Sequence, residues 1–355
     1  MSKRIEYFDL AKGFCIFLVV WFHVFDFYGL DLPIDYFFKS FRMPLYFILS
    51  GCFFKTYLGF NDFVRRKLNK LFIPFLFFYI TTSIILPIIL YELFDIQLQW
   101  GNQYYKTGVP YAYWGKEHFP NIPIWFLLCL FQINIVFYCI MLLGNITKKT
   151  NLTIISCTTI IGAMGLACSH YNIKLPFFID TCFSAIPFFV FGYYIYRHTN
   201  ILMSNRLDRY IPLFILFMGG LLFLSQNCTF RFLSNIFNNK ALLVLYPCGI
   251  IGSLCIFFLA KYVKKLPMFS YYGRYSIMIL VSHQLVYQVF AYVLSFFDFH
   301  IKIIAIANTI LTLSVYVFII PFMLKYMPYV TAQKDVITPE ITDKINYAIQ
   351  KLKHK

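Results

Sequence analysis

A chain of 355 residues that is 60% hydrophobic and only 13% charged, with a mean hydropathy of +0.68, is not a water-soluble domain of ordinary make-up. Apolar runs of about 20 residues, the length a bilayer-spanning helix requires, recur from end to end, so an all-α integral membrane protein is expected. A net charge of +16 raises nucleic acid as a partner, but the placement of the cations points elsewhere.

About ten transmembrane helices are expected, near residues 10–29, 41–54, 71–92, 123–143, 152–169, 177–196, 211–225, 242–260, 276–297 and 302–324. No small-residue cleavage site follows the first apolar run, so no signal peptide is expected. With the amino terminus inside, alternate segments hold 23 of the 31 Lys and Arg on the inner side and 8 on the outer. Cytoplasmic loops carry that excess in membrane proteins. Both termini are therefore expected in the cytoplasm, in a cell (inner) membrane, and the positive charge is a topology signal that needs no nucleic acid.

The first span, AKGFCIFLVVWFHVFD, carries two ionisable side chains, Lys12 and His23. Eleven residues make three helical turns plus roughly 20°, so the two share a stripe with Ile16 and Val19 and lie about 16 Å apart along the axis. A charge within a span costs roughly 2.5–3.5 kcal/mol and usually faces a cavity or a partner. Lys12 is close enough to the helix end to snorkel to water. His23 is deeper, with Asp26 at i+3 in reach of its imidazole. A histidine oriented by a carboxylate is the usual arrangement of a general base; the plainer reading is a hydrogen-bonded packing residue.

The second span, FRMPLYFILSG, opens on Arg42 and closes on Ser50-Gly51, which permits close backbone approach. In FVRRKLNKLFIP, residues Arg65, Arg66, Lys67 and Lys70 stand at the inner membrane edge, suited to phosphate groups or to anionic lipid. Residues 93–122 form a long outer loop rich in Trp and Tyr, Trp114 among them, which suits a sugar as well as an interfacial aromatic belt. The ninth span carries Ser276 and a second buried imidazole, His283, with no local carboxylate. The tail has Ile341, Ile345, Ile349 and Leu352 at helical spacing between lysines, the pattern of an amphipathic helix on a membrane surface. The ten cysteines form no CxxC motif and read as small buried hydrophobes.

This ordered series resembles the integral-membrane acyltransferase-3 family, and within it the fucose 4-O-acetylase-like branch. The matching elements are Asp9, Lys12 and His23; Arg42-Met43-Pro44-Leu45-Tyr46-Phe47 with Ser50-Gly51; and Arg66, Lys67, Lys70 with Ile73-Pro74. They continue with Trp125-Phe126-Leu127, then Pro187 to Tyr194, then Gly273, Ser276 and His283. Lys12 stands where the wider family usually has Arg, and Arg42 where the branch often has His.

The resemblance implies a membrane acyltransferase domain over residues 1–325, followed by a cytoplasmic tail at 326–355. It implies transfer of an acetyl or other acyl group from cytoplasmic acyl-CoA (acetyl-CoA) to a hydroxyl of a sugar or surface-glycan acceptor. His23 would be the general base, with Asp26, Lys12 and Arg42 as catalytic neighbours. Arg65, Arg66, Lys67, Lys70 and Ser50 would hold the donor, and Trp125, His283 and Trp114 the acceptor. No metal is called for, because a thioester is already activated. The competing reading is a transporter or proton-coupled exporter of an anionic or acylated solute, with Lys12, His23 and Asp26 as a relay. The sequence sets no oligomeric state.

Overall fold

The computed structural model describes residues 5–32, 34–86, 88–89, 121–199, 202 and 211–340. Trp114, most of the outer loop and the tail helix expected from residue 341 onward lie outside these.

Helices α1 (Glu6–Phe27) and α2 (Asp35–Cys52) are joined by a short loop. A third helical rod follows, made of α3 (Phe60–Lys67), a π-helical turn Leu68–Phe72, α4 (Ile73–Ile80) and a second π-helical turn Thr81–Ile85. Then come α5 (Trp125–Ile146), α6 (Thr150–His170), α7 (Ile179–His198) and α8 (Ile211–Ser225). A two-residue hairpin pairs β1 (Phe230–Arg231) with β2 (Ile236–Phe237). The chain continues through α9 (Asn239–Val263), α10 (Pro267–Arg274), α11 (Ser276–Leu294) and α12 (Ile301–Tyr326).

Among the described residues seven helices are long and apolar enough to cross a membrane: α1, α6, α9, α11, α12, and α5 and α7 counted with the short 3-10 turns that lead into them. The second expected span exists as α2, but its first half holds Asp35, Lys39 and Arg42. The seventh exists as the 15-residue α8. Large apolar side chains face outward, among them Phe318 at 76% and Phe223 at 74% exposure, as expected where the solvent is lipid.

Two glycine contacts set the core. Gly51 of α2 faces the main chain at Phe189, and Gly192 of α7 faces the main chain at Ile48; a Cβ on either would strike a carbonyl. Small residues let helices approach closely where no hydrophobic force drives them together. In the same way Gly13 of α1 lies on the backbone of Phe269, and Gly273 on that of Asp9. α10 therefore runs antiparallel along the first half of α1, and α11 turns back beside its second half. That geometry brings Ser276 to the level of Lys12 and His283 to the level of His23.

Some polar residues buried between helices tie them together by hydrogen bonds. Asn308 donates to the Tyr28 hydroxyl and the Tyr287 carbonyl, each at 3.0 Å, and accepts from Thr312 at 3.0 Å.

Candidate active site

A cavity of about 450 Å³ opens at the end of the bundle that carries Lys12. α1 supplies Lys12, α2 Ser50, the π-turn rod Lys67 and Lys70, α5 Asn134, and α11 Ser276; the remaining wall is aliphatic and aromatic. The Lys12 ammonium sits 5.3 Å over the ring of Phe53. Lys67 lies 5.4 Å from the ring of Phe63 and 6.0 Å from that of Phe54. Lys67 precedes the third span, and desolvation by this wall pushes its ammonium down to about 8 from an ordinary 10.5.

The four clustered cations divide into two jobs. Arg65 is buried and donates to Asp62 at 2.6 Å, to Ile337 O at 3.2 Å and to Asp335 at 3.4 Å. Arg66 meets both Asp62 oxygens and stacks 4.7 Å over Tyr57. These bonds hold the Asp62 carboxyl below its usual range. Lys67 and Lys70 instead turn to the cavity, and Lys70 also donates to Ala332 O at 2.5 Å.

Residues 327–340 thus cross the rod as a strap tied to Arg65, Asn69 and Lys70. This first part of the expected tail is packed against the helices rather than separate from them.

His23 stands three turns above Lys12 on the inward stripe, where Ile16 and Val19 are buried. Its ring lies 5.4 Å from that of His283, centroid to centroid. His283 is 0% exposed, and its Nδ1 contacts the carbonyl oxygens of Ile279 at 2.8 Å and Leu280 at 3.1 Å. Leu280 lines the cavity one turn before His283, but His23, His283 and Arg42 themselves do not line it.

Arg42 of α2 is buried. Its guanidinium lies 4.1 Å over the ring of Phe22 and donates to Leu18 O at 3.4 Å. Among the described residues no carboxylate lies within ion-pair distance of it. A buried guanidinium that lacks an ion-paired carboxylate and stacks on the residue next to His23 is suited to meet an anion that forms there.

Asp26 is exposed and lines a small outer crevice with Asp31 and Asp35. No hydrogen bond or ion pair joins it to His23 among the described residues. Trp125 is buried in packing, its ring 6.0 Å from that of Phe178, and does not line the cavity. Asn134 was not among the expected site residues. Its Nδ2 donates to Leu130 O at 2.8 Å, while its buried Oδ1 has no partner among the described residues. The signal was an amide, two residues after Gln132, inside the otherwise apolar run FQINIVF.

Residues 5–324 match the profile of a family described as an acyltransferase domain, nearly the whole chain. The protein belongs to the acyltransferase-3 family. It is a membrane acyltransferase, and the strap at 327–340 falls beyond the part the family shares. No curated protein and no solved structure matches it.

Proposed function

We propose that this acyltransferase-3 member moves an acetyl group from acetyl-CoA to a hydroxyl of a sugar or surface glycan, with His23 as the general base. In this reading the chain makes ten passes of a cell (inner) membrane with both termini in the cytoplasm, and the cavity at the Lys12 end takes the donor from that side. The motif order resembles the fucose 4-O-acetylase-like branch, which favours a sugar hydroxyl as acceptor. Lys12, Lys67 and Lys70 suit the donor's phosphates, and the aliphatic wall suits its apolar arm.

The observation that carries the reading is the buried Arg42 guanidinium, stacked 4.1 Å over the ring of Phe22, the residue before His23, with no carboxylate within ion-pair distance among the described residues. When the acceptor oxygen attacks the thioester carbonyl, negative charge builds on the carbonyl oxygen. A fixed cation in a water-poor site is worth most at that moment. His23 removes the hydroxyl proton as the new C–O bond forms, and returns it to the thiolate as the C–S bond breaks. Donor and acceptor meet on the inner stripe of α1, which reaches from Lys12 to His23 across about 16 Å.

The test is acetyl transfer by purified protein in lipid vesicles, using radiolabelled acetyl-CoA and a surface-polysaccharide fragment. Wild type should yield labelled acceptor, and His23→Ala should insert normally yet yield none. Labelled acceptor at the wild-type rate from His23→Ala would overturn the assignment. A transporter would move label across the vesicle membrane and form no acetylated product.

A further inference from the structure

We propose that His283 is a positioning residue for His23: its Nε2 accepts a hydrogen bond from one nitrogen of the His23 ring, so that the other presents its lone pair to the acceptor hydroxyl. The proposal rests on the reading of His23 as the base.

Two observations carry it. The first is the tautomer of His283. Carbonyl oxygens only accept hydrogen bonds, and Nδ1 faces two of them, at Ile279 and Leu280. Nδ1 therefore holds the ring's proton, and Nε2 of the neutral ring carries a lone pair. That Nε2 is buried and has no hydrogen-bond partner among the described residues. Few polar atoms in a folded protein are left in that state, and each calls for an explanation.

The second observation is what stands beside it. Among the described residues the closer ring neighbour of His283 is His23 at 5.4 Å, with Tyr287 at 6.4 Å. A linear N–H···N bond between two imidazoles sets their centroids about 5 Å apart. Turning the His23 ring, tilted 48° to that of His283, is the movement that would close that bond. The local candidate for this role, Asp26, is turned to the outer crevice with Asp31 and Asp35.

The chemistry balances without a further reactant. The hydroxyl O–H bond breaks as its oxygen bonds to the thioester carbon, and the proton goes to the free nitrogen of His23. The departing thiolate then takes that proton back. Throughout, the other nitrogen of His23 keeps its hydrogen on Nε2 of His283, which makes and breaks no covalent bond. The neutral imidazole thus fixes which face of the base is reactive, as an orienting group does in other histidine-based sites.

Steady-state transfer by His283→Leu and His283→Gln in vesicles, together with ¹⁵N-histidine solid-state NMR of the full-length wild type, tests this. His283→Leu removes the acceptor and should lower kcat about 100-fold while both KM values stay within about twofold. His283→Gln keeps an accepting oxygen and should recover to within about tenfold of wild type. The NMR spectrum should show His283 with hydrogen on Nδ1 and a hydrogen-bonded lone pair on Nε2, and that Nε2 signal should shift in His23→Ala.

Unchanged kcat in His283→Leu, with the loss appearing instead in Asp26→Asn, would hand the orienting role to the carboxylate and overturn the proposal. So would hydrogen found on Nε2, a result that stands even if His283→Leu fails to fold. Wild-type protein that transfers no acetyl group defeats the underlying reading. Wild-type transfer that is indifferent to His283→Leu defeats this proposal alone.

Discussion

Asn69 and Ile337, 268 residues apart, exchange two hydrogen bonds: Asn69 Nδ2 donates to Ile337 O at 2.9 Å, and Ile337 N donates to Asn69 Oδ1 at 2.9 Å. Val336 N donates to the same oxygen at 2.9 Å. The amide, itself 0% exposed, acts as one rung of a strand for a segment that has no strand beside it. Asn69→Ala would leave two N–H groups of the strap without partners, Ile337 O keeping its bond from Arg65, and each such group costs about 1–3 kcal/mol when it stays buried. The expected result is release of residues 327–340, read as rapid proteolysis near Asp335 and a lower unfolding temperature in detergent, while Asn69→Asp, which still accepts, is less affected.

Lys67 supplies a pH dependence. Below about pH 8 its ammonium is charged in the free protein; above that it is neutral, although an unfolded chain would keep it charged up to 10.5. A phosphate ligand needs the cation, so binding above pH 8 takes up a proton. Donor affinity should then fall by up to tenfold per pH unit above pH 8. Fold stability runs the opposite way. Between pH 8 and 10.5 the unfolded chain binds more protons, so this group makes the fold more stable as pH rises. Isothermal titration of acetyl-CoA from pH 6.5 to 9.5 checks the first slope, and Lys67→Met should flatten it.

Arg42→Lys keeps the charge but loses the planar group stacked on Phe22. If Arg42 meets the developing oxyanion, kcat should fall about 100-fold with both KM values nearly unchanged. A rise in acceptor KM at constant kcat would instead make Arg42 a ground-state binding residue.

Gly192→Ala places a methyl group against the carbonyl of Ile48 on α2. Overpacking of a close-packed interface typically costs about 1–3 kcal/mol, and here the obstacle is backbone, which cannot rotate aside. The variant should still reach the membrane, because α7 keeps its hydropathy, but unfold at a clearly lower temperature. Gly219→Ala on α8, where a Cβ meets nothing within 4 Å, is the matched control.

The bundle was legible in the sequence because apolar length is a local property: each expected span that falls on described residues is a helix there. The stripe through Lys12, Ile16, Val19 and His23 was legible for the same reason, and its middle residues are buried. Long-range pairing was not. The cluster Arg65, Arg66, Lys67 and Lys70 read as four equivalent cations, yet Asp62, three and four residues before the arginines, already takes two of them. That much was readable; the share taken by Asp335 and Ile337 depends on a segment some 270 residues away. His23 was assigned Asp26 because neighbours at i+3 and i+4 are the partnerships one helix can reveal. Its ring neighbour, His283, sits 260 residues on and is delivered by the glycine contact between α1 and α10.

The π-helical turn Leu68–Phe72 has a consequence for everything after it. A turn closed by an i→i+5 bond holds one extra residue, so residue for residue the helix beyond it is wound about 100° less than an unbroken α-helix would be. Phe75 and Tyr79 point inward and Leu76 and Ile80 outward with that offset built in. Tightening the turn to an ordinary α-turn with all five residues kept would carry Phe75 and Tyr79 round to where Leu76 and Ile80 now face the outside, whereas excising one residue between 68 and 72 would tighten it and leave all four side chains where they are.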